Sequence, residues 1–540
     1  MSPDGRRLPD TWASMAGRED DAAGARRQRP MATLKMPDSL GTPGLLIGWS
    51  LEMERGRRPM GFGAGDAQRA PRSGYIDPIL METDGHLITV APTGAGKGVG
   101  CIIPALLRYD GPIIAIDPKG ENVAITARRR RELGHQVIVL DPIGITDQPA
   151  AALNPLDMLD PTSATTVDEA AALAGVLIDH RQDEKNRFWY ERAAHLLFGV
   201  ILHTIADYPV EERNLNTVRN LIGLSSGDPD KLIEAMRISV HPEARAVAQS
   251  LAVGAAETRG SIVAVAQDGV DFLRGPLVQN AIRETTFDLD DVTLGKPLSI
   301  YIVVPPHMLE SHGKLLRLWI ATLMTAITRR RSRAKQATLF LLDEAAQLGT
   351  LPQLRQAITL LRGYGMRTWS FWQDLSQLRL LYPSDWQTMV NNCQVLQCFG
   401  AFNSLAARDL HELTGFGTPD AIVDLENHEM ILQISGDQPV IARVPNYRFD
   451  PPFKGLFDAN PYFDPDQNIL PKDPPRIRLF ERPEPAVPAP LPVPAFLSQM
   501  DEEEESDEAA EPVRVGETDR LLQVLLAGWG DTGRPPSAPG

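Results

Sequence analysis

The run Leu87-Ile88-Thr89-Val90-Ala91-Pro92-Thr93-Gly94-Ala95-Gly96-Lys97-Gly98-Val99-Gly100, followed by Cys101-Ile102-Ile103-Pro104-Ala105-Leu106-Leu107, decides the reading of this chain. Leu87 to Val90 predicts a buried strand, and Cys101 to Leu107 predicts the start of a helix. Strand, glycine-rich turn, lysine and helix together are the setting of a P-loop. The chemistry calls for these residue types. Glycines let backbone N–H groups curl round a phosphate without Cβ clashes, and a helix N-terminus adds positive potential at the same spot. Pro92, Thr93, Gly94, Ala95, Gly96, Lys97, Gly98 and Val99 are the expected phosphate-binding residues, with Lys97 reaching the β- and γ-phosphates. The match departs from the full pattern at both ends. Ala91 stands in place of the first Gly, and Gly98 in place of the Ser or Thr whose hydroxyl meets Mg²⁺. Taken alone, the loop is also readable as a glycine-rich turn that holds no ligand.

A second motif moves the balance. Thr338-Leu339-Phe340-Leu341-Leu342-Asp343-Glu344 is an apolar run ending in two acids, the form of a Walker B strand. Asp343 is the expected Mg²⁺ residue, directly or through water, and Glu344 the residue that polarises the attacking water. A strand ending in a solvated acidic turn is the plain alternative for that run. Both motifs in one chain, in this order, point to a nucleoside triphosphatase.

The other apolar runs alternate with helical patterns. Gly111 to Ile116, Gln136 to Leu140, Leu298 to Val304, Thr368 to Trp372 and Val395 to Gly400 read as strands. The first ends in Asp117-Pro118-Lys119-Gly120-Glu121-Asn122, charged residues expected at the ligand edge of an open α/β sheet. This alternation predicts an α/β fold with a parallel-rich central sheet and helices on both faces. From about 160 to 285 the spacing is helical throughout, which predicts an all-α insertion. Phe188, Trp189 and Tyr190 are expected in its core. Arg128 to Arg131 reads as a solvated helix face. His307 and His312 read as loop residues. A long helix is expected from Lys314 to Arg330.

Composition narrows the rest. The chain has 540 residues and a formal charge of −16. Eight acids and no base lie between Asp501 and Glu511, leaving about −8 for the remainder. Any nucleic-acid contact is therefore expected as a local patch or a pore wall. Cys101, Cys393 and Cys398 are the only cysteines, which suits a reducing compartment and gives no zinc pattern. No apolar run approaches the ~18 residues of a membrane span, and Leu45 to Trp49 is far too short for one. Residues 1–75, with Arg26-Arg27-Gln28-Arg29 and Arg55-Gly56-Arg57-Arg58, read as a basic, mostly disordered leader. Thirteen of the 45 prolines fall between 451 and 494. Residues 446–540 are accordingly expected to be a disordered Pro-rich and acidic tail with a short helix over Asp519 to Trp529. The nucleotide-binding part is expected over 76–159 and 286–445.

Several of these motifs together resemble the TraG/TraD-type coupling proteins of conjugation and type IV secretion. They are Pro92 to Gly100, Ile103-Pro104, Asp117 to Asn122, Asn154-Pro155-Leu156-Asp157, Phe188-Trp189, Leu342-Asp343-Glu344 and Trp372-Gln373-Asp374, over about residues 80 to 445. The resemblance implies a RecA-like P-loop motor domain interrupted by an all-α domain that recognises substrate. It implies a homo-hexameric ring at the cytoplasmic face of the inner membrane. There, ATP hydrolysis with Mg²⁺ would deliver DNA, or a relaxosome or other nucleoprotein substrate, to the secretion channel. Lys97 then matches the phosphate lysine, Asp343 and Glu344 the metal and water pair, and Gln373 the sensor. Arg362 matches an arginine that acts in trans on the neighbouring subunit's site. Gly after the lysine is frequent in this family. The family's usual N-terminal transmembrane helices are not found here, so a peripheral or cytoplasmic location is expected, with a separate membrane partner as one route to anchoring. Export of protein effectors, or ATP-switched cargo docking without translocation, are the alternatives.

Overall fold

The computed structural model describes residues 36–41, 44–50, 77–178, 184–224, 229–435 and 437–462. All of them belong to one compact unit. Its strands are β1 (Leu45–Ser50), β2 (Pro78–Met81), β3 (His86–Val90), β4 (Ile113–Ile116), β5 (Gln136–Leu140), β6 (Leu298–Ile302), β7 (Thr338–Leu342), β8 (Met366–Trp372), β9 (Cys393–Cys398), β10 (Glu429–Ile434) and β11 (Val440–Arg443). Among the described residues they form one 11-stranded sheet in the order β2-β1-β11-β10-β9-β3-β8-β7-β4-β6-β5. From β9 to β5 every pairing is parallel. From β2 to β9 every pairing is antiparallel.

The parallel half follows from the sequence runs. A strand covered on both faces must be apolar on both, so it reads as a continuous hydrophobic run. In β3, β4, β6, β7 and β8 every residue is buried. Alternate residues feed two separate cores. Ile88, Ile114, Ile300 and Phe340 face the long helix Pro306–Thr328, which packs Leu315, Trp319 and Leu323 there. Leu87, Ala115, Tyr301 and Leu341 face the helix that follows the P-loop, with Cys101, Ile102 and Ala105.

The helices between β5 and β6 begin at Thr166–Leu177 and run through Arg187–Asp207, Leu215–Leu224, Pro229–Arg237, Pro242–Ala252, Ala256–Val270 and Pro276–Ala281 to Leu289–Leu294. The chain's way in and way out are stitched together. Ala152 N–H and Asn154 N–H donate to the hydroxyls of Thr286 and Thr285 at 3.0 and 3.1 Å. Thr285 N–H donates to Asp157 Oδ2 at 2.9 Å, and Asn154 Nδ2 donates to Asp157 Oδ1 at 2.7 Å. The Asn154-Pro155-Leu156-Asp157 motif is thus a clasp.

The structure corrects several sequence expectations. Leu45–Ser50 is no leader but a buried strand between β2 and β11. The segment 446–462 packs on the sheet unit: Tyr447 and Phe453 are buried, and Trp49 Nε1 donates to Asp450 Oδ2 at 2.9 Å. These pieces form antiparallel pairs or a loop, for which the βαβ pattern offers no clue. Arg130 is fully buried rather than solvated. Its guanidinium donates to Ser299 Oγ at 2.7 Å, to the Gly111 carbonyl at 2.8 Å and to the Tyr109 carbonyl, tying the end of helix Glu121–Glu132 to the turn before β4. Phe188 is half exposed, and Trp189 and Tyr190 are only partly buried. His307 and His312 lie within Pro306–Thr328, which starts two turns before the expected Lys314 because Pro306 opens it. The arginine clusters near 26 and 55, the acidic run and the expected helix over 519–529 lie outside the described residues.

His86 opens β3 from a buried site, where Nδ1 accepts from the Thr368 N–H at 3.1 Å. Burial first, then the charges of Arg362 and Arg367, pull its pKa down to about 4. The unfolded chain therefore binds the proton more readily than the folded one, and stability falls as pH drops below the ordinary histidine range. His86→Gln should remove a loss on the order of 1–2 kcal/mol between about pH 6.5 and pH 5. Denaturant unfolding of both proteins at the two pH values measures this.

Candidate functional site

Parallel pairing brings the carboxyl ends of β3, β8, β7 and β4 to one edge of the sheet. The chain after β3 turns there. Ala91 N–H donates to the Trp372 carbonyl at 2.8 Å, which joins the loop to the end of β8. Gly94 and Gly96 have φ of +83° and +91°, conformations that cost a side-chain-bearing residue roughly 1–2 kcal/mol. A Cβ on Gly94, Gly96 or Gly98 would meet nothing within 4 Å, so the space over the loop is open. Gly100 serves another purpose: a Cβ there would lie 2.3 Å from Val444 Cγ1, so its bareness lets the chain after β11 approach. The helix begins as a π-turn, Gly98–Ile102, and continues as Ile103–Arg108. Pro92 to Val99 therefore line a concave, glycine-rich turn at a helix N-terminus, the arrangement that suits a phosphate.

Lys97 Nζ forms an ion pair with Glu344 Oε1 and lies 3.4 Å from Asp343 Oδ1. Gln373 Nε2, just beyond β8, donates to the other oxygen of Glu344 at 2.9 Å. Gln373 is itself held by its backbone N–H, which donates to Gln377 Oε1 at 3.0 Å. Asp374 caps the following helix Leu375–Leu381 through the Gln377 N–H, and this side-chain cap fixes where β8 must end. Glu344 has φ of +54°, the sole non-glycine at positive φ among the described residues. Strained backbone of this kind clusters where a side chain must be aimed for function. Burial raises the pKa of Asp343, and Lys97 opposes that rise.

The sequence-derived residues Lys97, Asp343, Glu344 and Gln373 meet at this edge. Arg362 does not join them. It lies in the turn Leu361–Tyr364 before β8, at the amino end of that strand, roughly 20 Å from Gln373 by strand rise. It is exposed; its carbonyl accepts from the Gly365 N–H at 3.2 Å, and its side chain forms no hydrogen bond or ion pair among the described residues. Asp117 is the residue whose environment sequence reasoning missed. It follows β4, is fully buried and is pushed up to about 7, chiefly by burial. Its place in a charged turn after an apolar strand was the available signal.

No group of three or more His, Cys, Asp or Glu side chains among the described residues could hold a metal unaided. The donor set fits Mg²⁺ in a different way. Mg²⁺ keeps several waters and takes one or two carboxylates plus substrate phosphates. Asp343 Oδ1 is a buried carboxylate oxygen with no hydrogen bond, 3.4 Å from Lys97 Nζ.

The sheet order, the loop and the paired acids define a P-loop protein of RecA-like α/β type. Residues 53–420 match the family described as Type IV secretory system Conjugative DNA transfer, and the chain belongs to that family. It is 26% identical over 358 residues to the conjugal transfer protein TraG of Escherichia coli, covering 62% of this chain and 55% of that protein. It is 31% identical over 304 residues to protein VirD4 of Agrobacterium fabrum, covering 55% and 44%. The chain thus spans about half the length of these curated relatives. Among solved structures, the conjugative coupling protein TrwBdeltaN70 matches with a TM-score of 0.56 at 18% identity, over 68% of this chain and 86% of that one. TrwB has also been solved with ADPNP, and with ADP and Mg²⁺, each matching at 0.54 and 18% identity over 67% of this chain and, respectively, 84% and 85% of the other. The likeness of fold is therefore much stronger than the likeness of sequence.

The Lys97–Glu344 contact has a direct thermodynamic test. In a double-mutant cycle of Lys97→Met and Glu344→Gln, the coupling is expected near 1 kcal/mol. Denaturant unfolding measures it, and additive effects would mean the ion pair contributes nothing in solution.

Proposed function

We propose that this chain is an ATP-hydrolysing coupling protein of a conjugation or type IV secretion apparatus, delivering DNA or a nucleoprotein to the channel. The observation that carries this reading is the meeting of Lys97, Asp343, Glu344 and Gln373 at the open glycine-rich turn. Membership of the conjugative DNA transfer family supplies the substrate class. TrwB binds ADPNP, and ADP with Mg²⁺, which makes ATP and Mg²⁺ the natural substrate and cofactor to test here.

In this reading the P-loop amides and Lys97 hold the β- and γ-phosphates. Lys97 exchanges its carboxylate partners for phosphate oxygens, which frees Glu344 from the ion pair. Glu344 then orients a water and accepts its proton as that water attacks the γ-phosphorus. Gln373 holds the second oxygen of Glu344, so the carboxylate keeps its aim while its charge partner changes. Mg²⁺, when bound at Asp343, neutralises charge on the β- and γ-phosphate oxygens. Water is kept from the sheet interior because Leu342, Phe371 and Trp372 are buried beneath the acids.

Arg362 is proposed to act on the next subunit of a homo-hexameric ring. Its distance from its own site and its side chain's lack of partners among the described residues support that role. We further read residues 76–159 and 286–445 as the motor and 160–285 as the substrate-recognition part, at the cytoplasmic face of the inner membrane. No helix among the described residues is long and apolar enough to cross a membrane.

ATPase rate against protein concentration, with and without single- and double-stranded DNA, tests the reading. A rate that rises cooperatively and is stimulated by DNA is expected. A rate indifferent to both would favour effector export or cargo docking. Glu344→Gln should slow hydrolysis by at least about 100-fold while retaining nucleotide binding. Arg362→Ala should cost on the order of 10³, and mixing it with Lys97→Ala subunits should restore part of the rate. Failure to restore it in verified mixed assemblies would remove Arg362 from the neighbouring site.

A further inference from the structure

The loop leaves one role unfilled, because Gly98 brings no hydroxyl to the metal edge. Asp117 lies at that edge. In the parallel pairing of β4 with β7, Ala115 is level with Leu341, so two residues on Asp117 is level with Asp343. Asp117 continues the ladder, its N–H donating to the Ile302 carbonyl at 2.9 Å. Ala115 and Leu341 share the core under the P-loop helix, and side chains alternate along a strand. Asp117 and Asp343 therefore project to the same face, about one strand spacing (~4.8 Å) apart. Each acts electrostatically on its surroundings there, and the charge of Asp343 is felt at Asp117.

One oxygen of Asp117 has a structural task. Oδ2 accepts from the Val123 N–H at 2.8 Å and so satisfies one N–H in the first turn of the helix Glu121–Glu132, whose N-cap residue is Gly120. Oδ1 is buried and has no hydrogen-bond partner among the described residues. That contact does not require a charge, since a neutral side-chain oxygen can also accept from an N–H. A buried carboxylate needs a cation or donors. The backbone N–H groups of Val123 and Asn122 act on Asp117 as donors, while the carboxylates near it, Glu121 and Asp343, have the wrong sign. Tyr301 and Tyr462 are near enough to feel its charge, but their hydroxyls are engaged elsewhere, with Thr126 Oγ1 at 2.6 Å and the Lys119 carbonyl at 3.0 Å.

We propose that Asp117 is a positioning residue for Mg²⁺: Oδ1 accepts a hydrogen bond from a water of the metal's shell held beside Asp343, in place of the hydroxyl that Gly98 lacks. This rests on the nucleotide reading above. Asp117 does not touch the phosphates. It orients the hydrated ion, which is the usual work of an outer-shell carboxylate, and losing such a partner costs about 10–100-fold in metal affinity.

The test is binding, not turnover. The affinity of the full chain for a fluorescent methylanthraniloyl-ATP is titrated with Mg²⁺, starting in EDTA. Asp117→Asn keeps an oxygen for the Val123 N–H and removes the charge. It should shift the half-saturating Mg²⁺ upward about tenfold, with the same affinity at saturating metal and an EDTA affinity within about twofold of wild type. An unchanged half-point would overturn the proposal and leave Asp117 as an acceptor for the helix's first turn alone. Equal weakening in EDTA and Mg²⁺ would overturn it too, since the effect would then lie in the pocket. Asp117→Ser, whose hydroxyl oxygen also accepts, is read in the same way should the Asn variant not fold. If wild type binds no nucleotide, the ATPase reading falls and this proposal with it; if wild type binds and the variants match it, this proposal alone falls.

Discussion

Parallel hydrogen bonding among β3, β8, β7 and β4 is the constraint on which the site depends. It brings four strand ends to one edge, and each strand delivers polar groups there as it leaves the sheet. β3 delivers the loop and Lys97, β8 delivers Gln373, β7 delivers the two acids, and β4 delivers Asp117. A parallel sheet can do this only if both faces are covered, because its connections cross over them. Two apolar cores, one on each face, meet that requirement. The chemistry then sits where burial ends, so its charges are partly desolvated and their mutual interactions are strengthened.

Charge balance at this edge is uneven. Lys97 is the cation between two carboxylates, and Asp117 adds a third carboxylate one strand away. Glu344 reaches Lys97 and Gln373 together from a left-handed backbone conformation. Such a conformation persists when its surroundings over-determine it. Here the buried strand before it and the turn Ala345–Leu348 after it do so, with Ala345 and Leu348 both buried.

The helices inserted between β5 and β6 are tied back to the sheet unit at their entry and exit by a polar clasp built from Asn154, Asp157, Thr285 and Thr286. Trp319 on the long helix donates its Nε1 to the Leu153 carbonyl at 3.0 Å, anchoring the same crossing from below. At the other margin, the segment after β11 runs along the P-loop helix and its neighbour. Val444 covers Gly100, and Asp458 pairs with Arg128 at 2.7 Å. Its Tyr462 reaches the Lys119 carbonyl in the turn that follows Asp117. The segment after β11 thus packs along the helices that follow the glycine-rich loop and β4.

Local pattern by itself determined the parallel half of the sheet, the glycine-rich turn, the acid pair and most of the inserted helices. Those features are written in nearest-neighbour terms: continuous apolar runs, glycines before a lysine, acids after a strand, and a 3.6-residue period. The tertiary structure alone decided the rest. The antiparallel edge joins Leu45–Ser50 to Val440–Arg443, nearly 400 residues apart in sequence, and no local signal announces such a pairing. Arg130 looks like surface in a run of four arginines, and only the carbonyls that converge on it from other segments make it core. Gly100 looks like part of the phosphate loop, and only the approach of Val444 shows its packing role. Asp117 looks like a turn residue, and only the tertiary structure sets it level with Asp343 with one buried oxygen left without a partner. In each case the deciding quantity is what a distant segment places within hydrogen-bond or van der Waals reach, and that quantity comes into being when the chain folds.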